Sequence, residues 1–100
     1  MKPTFLEFRH LKTLLALKET GSVSLAAKRV YLTQSALSHQ IKLIEEQFGL
    51  PLFERKSNPL RFTSAGERLI RLANEVMPKI VDAERDLARV KHGDAGQLRI

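Results

Sequence analysis

Seven apolar residues, Leu69, Ala73, Val76, Ile80, Ala83, Leu87 and Val90, follow one another at intervals of 4, 3, 4, 3, 4 and 3. Apolar side chains at that spacing form a seam along one side of a helix and ask for a second helix to cover it. The helix should start at Ser64, whose spacing to Glu67 has the form of a capping box, or at Thr63 one residue earlier, and stop near His92 before Gly93 and Gly96. At ~1.5 Å per residue such a helix extends about 40 Å, too far to lie wholly on the roughly 60 residues that precede it. Ile70, Met77 and Val81 widen the apolar band, and Pro78 removes one backbone donor and predicts a local bend.

The preceding residues read as three shorter helices. Phe8, Leu11, Leu14 and Leu15 mark one face of the first, which Gly21 ends. Ser22 or Ser24 caps the second, whose Ala26 and Ala27 permit close helix approach. Thr33 caps the third, with Leu37, Ile41, Ile44 and Phe48 inward and Gln34, Ser35, Ser38, His39, Lys42 and Glu45 outward, and Gly49 closes it. A tight turn between the second and third helices matches a helix-turn-helix core. Leu52–Arg55 and Leu60–Thr63 then read as two short strands around Lys56-Ser57-Asn58-Pro59, a hairpin with a basic tip. The fold class predicted is therefore mainly α: a winged helix-turn-helix of three helices plus a two-stranded wing, followed by a long dimerising linker helix. Residues 1–63 form the DNA-binding domain and 64–93 the linker helix. Residues 94–100, with the alternating Gln97-Leu98-Arg99-Ile100, read as the first strand of a further domain.

Charge narrows the partner. Residues 1–62 hold ten Lys or Arg against five Asp or Glu, whereas residues 63–100 hold seven against six, within a total of +6. A basic front half suits a polyanion. Cysteine is absent, which excludes disulfides and thiolate metal sites. No apolar run spans a membrane, and Met1-Lys2-Pro3-Thr4 lacks a signal core, so the expected location is cytoplasmic and nucleoid-associated. His10, His39 and His92 are scattered, with no metal-binding spacing, no nucleophile elbow and no phosphate-binding glycine loop; the chain is expected not to be an enzyme and to need no cofactor.

A helix that reads DNA exposes short polar side chains on its first turns and keeps bulky apolar ones behind. Gln34, Ser35, Ser38 and His39 are the candidates for base readout, Gln34 through paired hydrogen bonds to adenine. Thr33 and Lys42 are candidates for the backbone, as are Arg55, Lys56 and Arg61 on the wing, where Arg also suits a narrow minor groove. Arg9, His10, Lys12, Lys28 and Arg29 are further phosphate candidates. A protein-interaction module with the same core and a small enzyme or ligand-binding helical domain are the rival readings, separated from DNA binding by its salt dependence.

These pieces carry a resemblance. Gly21-Ser22-Val23-Ser24-Leu25-Ala26-Ala27, Thr33-Gln34-Ser35-Ala36-Leu37-Ser38-His39-Gln40-Ile41, Leu43-Ile44-Glu45-Glu46-Gln47-Phe48-Gly49, Leu52-Phe53-Glu54-Arg55 and Phe62-Thr63-Ser64-Ala65-Gly66 resemble, in that order, the DNA-binding domain of LysR-type transcriptional regulators. The resemblance implies base contacts at Gln34, Ser35, Ser38 and His39 and a wing contact from Arg55 to Arg61. It also implies antiparallel linker helices and control by a coinducer bound in a further domain. His39 stands where the family often has Arg, a shorter, titratable side chain in place of a strong guanine partner. Within the family the chain looks most like the subgroup that controls methionine biosynthesis, which implies an activator responding to homocysteine; the residues themselves leave activation and repression open. The expected partners are an interrupted palindromic duplex and a second copy of the chain, with a tetramer and RNA polymerase as candidates for the full-length protein.

Overall fold

The computed structural model describes residues 4–54 and 59–91. Four helices make up the described chain: α1 (Phe8–Thr20), α2 (Val23–Arg29), α3 (Gln34–Phe48) and α4 (Ser64–Lys91). α1 is the hub, packing against the other three. Leu14 and Leu17 of α1, Ala26 and Ala27 of α2, Leu37, Ile41 and Ile44 of α3, and Ile70 of α4 share one buried cluster with Leu52. Two adjacent alanines let α2 approach as its sequence suggested, and both lose nearly all exposure.

Local chemistry sets the helix ends. Ser22, rather than Ser24, caps α2, its hydroxyl accepting from Leu25 N at 3.2 Å. Thr33 caps α3 by accepting from Ala36 N at 3.0 Å. Gly21 and Gly49 end α1 and α3 in the left-handed region, at φ 68° and 67°, where a Cβ is penalised. Tyr31 adopts φ 60° just beyond α2, at a cost of order 1–3 kcal/mol for a bulky residue.

The choice at the start of α4 falls on Thr63. Its Oγ1 accepts from Gly66 N at 3.1 Å and donates to Pro51 O at 2.6 Å, so the cap also anchors the chain leaving α3. Gly66 follows because the Leu52 carbonyl lies where a side chain would be: an added Cβ would stand 2.3 Å from that oxygen.

Several sequence expectations change. Phe8 and Phe48 remain 42% and 48% exposed, off the interior faces assigned to them. Phe48 instead meets the edge of Phe5 at 6.0 Å. The two wing strands are absent among the described residues, replaced by one antiparallel bridge between Phe53 and Phe62. Glu54 N donates to Arg61 O and Thr63 N to Leu52 O, at 2.9 and 3.0 Å. Leu60 N turns away to Gly21 O, Pro59 has no donor to offer, and Thr63 is committed to the α4 cap.

α4 divides near its middle. Gly66, Ile70 and Ala73 are buried where it crosses α1, and Met77 faces Leu15 and Ala16 of α1 across a small cleft. Ala73, expected on the pairing seam, has no exposed surface in the single chain and is unavailable to a second copy. Leu69 packs half-buried against the core cluster. Val76 and Ile80 are half-buried, Ala83 and Leu87 exposed, and Val90 half-buried. The helix continues through Pro78; residues 92–100, with His92, the expected stop at Gly93 and the expected strand, lie outside the described residues.

Candidate nucleic-acid interface

The division of α3 into two faces follows from its 3.6-residue period. Leu37, Ile41 and Ile44 keep at most 6% exposure, which fixes the helix rotation and turns Gln34, Ser35, Ser38, His39 and Lys42 outward, all exposed. Thr33 is exposed too, its hydroxyl bound to the helix it caps. The structure thus brings the six α3-related candidates onto one open surface at and beyond the helix N-terminus.

The motifs say nothing of the electrostatics of that surface. Between Glu19 and Glu45 the chain has no Asp or Glu, while it has Lys28, Arg29 and Lys42. α3 has no acidic residue in its first turn, so the partial positive charge of its N-terminus is not offset there by a side chain. Glu45, assigned to the polar face, has a structural role instead. Its Oε2 accepts from Leu52 N at 2.7 Å and ties α3 to the segment behind it. A plain charge count along the sequence shows the carboxylate-free stretch; nothing local in it shows the Glu45 tie.

Other cations sort by partner. Arg9 pairs with Glu7 at 3.1 Å, Arg29 with Glu19 at 2.7 Å and Lys18 with Glu67 at 2.9 Å. Lys12 lies over the Phe8 ring, 5.6 Å from its centroid. Lys28 and Lys42 make no ion pair among the described residues. His10 is no phosphate candidate: it is 4% exposed, stacks on Phe5 at 5.5 Å, and its Nδ1 accepts from Glu7 N at 3.0 Å. Burial holds its pKa below the ordinary histidine value, helped by the Arg9 charge and opposed by Glu7.

Beside α3 runs the returning segment. Phe53 and Phe62 contact one another at 4.6 Å between ring centroids. Phe53 and Leu60 face Ser38 and Lys42 across a cleft of about 330 Å³ floored by Leu37 and Ile41. Arg61 is exposed on the returning limb; Arg55 and Lys56 lie outside the described residues. Among the described residues there is no cluster of side chains fit to hold a metal ion, and no helix is long and apolar enough to cross a membrane.

Known proteins share the sequence and the fold of this chain. The HTH-type transcriptional regulator MetR of Haemophilus influenzae is 98% identical over all 100 residues, which make up 32% of its length. The MetR of Escherichia coli K12 is 54% identical over 78 residues, 78% of this chain and 25% of that protein. The chain thus spans about a third or less of these relatives. Among solved structures, the BenM_DBD complex with catB site 1 DNA shares the fold with a TM-score of 0.78 at 31% identity, covering 88% of this chain and 95% of that one. The family described as bacterial regulatory helix-turn-helix protein, lysR family, matches residues 8–67. That match takes in α1, α2, α3 and the first turn of α4, more than half the chain, and so the protein belongs to the lysR family of bacterial regulatory helix-turn-helix proteins.

Proposed function

We propose that this chain binds double-stranded DNA sequence-specifically, as the DNA-reading part of a MetR-type transcriptional regulator. The observation that carries the reading is the exposed first half of α3, held in place by three buried side chains and free of carboxylates. The shared fold with a DNA-bound relative supports it.

In this reading α3 enters the major groove. Gln34, Ser35, Ser38 and His39 read base edges, while Thr33 and Lys42 meet phosphates. The segment joined by the Phe53–Phe62 bridge serves as the wing, with Arg61, and by sequence Arg55 and Lys56, assigned to the backbone or minor groove. The division into a DNA-binding domain (1–63), a linker helix (64–93) and the opening of an effector-binding domain (94–100) belongs to the same proposal. So does a homodimer through α4 that sets two recognition helices on two half-sites, about 10–10.5 bp or a multiple apart. Effector binding, tetramer formation and contact with RNA polymerase would be properties of the longer regulator. Methionine control through homocysteine is the effector reading that the resemblance favours.

Selection from a random duplex pool with the 100-residue chain tests this, followed by a salt titration on the selected site. An interrupted palindrome is expected, with log affinity falling linearly in log salt by about 0.9 per phosphate neutralised. A pool that stays random, with binding indifferent to salt, would sink the proposal.

A further inference from the structure

Among the described residues three helix ends turn through the left-handed region, two of them at glycine and the third at Tyr31. The closure after α2 is complete: Leu32 N donates to Ala27 O at 2.9 Å and Tyr31 N to Lys28 O at 3.2 Å. This paired return is the helix ending at which glycine is the usual residue. An aromatic side chain is disfavoured there by its Cβ.

Burial of its own side chain does not offset that cost. Tyr31 is 94% exposed, the most open of the large apolar or aromatic side chains among the described residues. An outlier without an internal return points to a role outside the fold. Its surroundings say which. Lys28 and Arg29 precede it and Thr33 and Gln34 follow it, within the stretch that has no carboxylate. Only Leu32 separates it from the α3 cap, so its Cα lies within about 7 Å of that of Thr33.

We propose that Tyr31 is a DNA-backbone contact, its phenol O–H donating to a phosphate oxygen at the rim of the groove that α3 enters. The inference rests on the DNA-binding reading above. A phenol adds a hydrogen-bond donor without adding charge, so it should strengthen binding without releasing a counterion. A phosphate contact also strengthens binding to every sequence alike.

The chain has one tyrosine and no tryptophan, so 3-fluorotyrosine incorporation places a single ¹⁹F probe at Tyr31. Adding the selected duplex should move that resonance to a saturating position. Tyr31→Phe should weaken binding about tenfold, the value of one hydrogen bond to a charged group. The loss should be equal on selected and random duplexes, at an unchanged salt slope. Tyr31→Gly should lose at least as much affinity while its thermal midpoint holds or rises, which separates the contact from a folding defect. A Phe variant within about twofold of the parent, or a fluorine signal unmoved by bound duplex, would overturn the inference while leaving DNA binding intact. A loss confined to the selected duplex would make Tyr31 a base reader and overturn the phosphate assignment. Failure of the parent itself to bind any duplex would remove the DNA reading, and this inference with it.

Discussion

His10 shows how a basic-looking side chain leaves the candidate surface. On the first turn of α1, its ring stacks on Phe5, with Nδ1 accepting the Glu7 amide. That hydrogen bond requires an unprotonated Nδ1, and burial also favours the neutral ring. Since the folded chain holds the proton less tightly than the unfolded one, stability is fully present above the unfolded histidine value of about 6.5. It falls as pH drops below that value towards the lowered folded one. Urea midpoints should therefore decline between pH 7 and pH 5, and His10→Gln should flatten the decline; a parent midpoint constant over that range would contradict the assignment. Gln34 is the opposite case, exposed on the open face of α3. Gln34→Ala should leave the melting temperature alone while costing ~1–3 kcal/mol on the selected duplex and relaxing preference at one base pair. Equal loss on every sequence would show that Gln34 is not a reader.

Between elements, the tightest fit is the crossing of the α4 N-terminus behind Leu52. Gly66 sits in the first turn of a helix, where alanine would ordinarily stabilise by about 1 kcal/mol. Here the Cβ would fall 2.3 Å from the Leu52 carbonyl oxygen and 2.9 Å from Phe62 Cδ2. That carbonyl accepts from Thr63 N and cannot retreat without opening the link between the two limbs at that level. Gly66→Ala should therefore destabilise by about 2 kcal/mol or more, read as a lowered urea midpoint at unchanged slope. A neutral or stabilised variant would show that the two segments are less tightly registered. The same crossing marks the boundary of what could be read from sequence. The spans of α1 and α3, the Thr33 cap and the ends at Gly21 and Gly49 were legible because each depends on residues within one turn, whereas Ser22 and Ser24 were equal candidates for the α2 cap until the structure chose Ser22. The outward set on α3 was legible too, since Leu37, Ile41 and Ile44 fix its rotation. Tertiary partners decided the rest: Thr63 caps α4 because Pro51 O holds its hydroxyl, Glu45 turns to the Leu52 amide, and Leu60 N finds Gly21 O. Ala73 has the spacing of a pairing residue but meets α1 first.

At the scale of the whole molecule, the unanswered element is the second half of α4. From Pro78 onward it is only 14 residues, a length at which an isolated helix is marginal in water. Two exposed i,i+3 pairs, Arg85–Asp82 and Arg89–Asp86, occupy its polar side, and such pairs contribute little. Its other side has Ile80, Ala83, Leu87 and Val90 in the remaining part of the seam, with Leu87 57% exposed and Val81 beside them at 43%. A second copy of the chain is the simplest cover for a protruding helix with that stripe, and the loss of Ala73 from the seam moves the expected contact towards Ile80 and beyond. Ile80→Asp tests this without touching the core, because the substitution lies past the α1 crossing. An unpaired charge in each half of a symmetric interface should cost several kcal/mol, raising the dimer dissociation constant by at least about a hundredfold. Sedimentation velocity at micromolar concentration should show a monomer whose circular dichroism has lost, at most, helix from its C-terminal end. Affinity for the palindromic duplex should fall to that of a single half-site. An undiminished dimer would move the contact off this face, and the second half of α4 would then need a different neighbour.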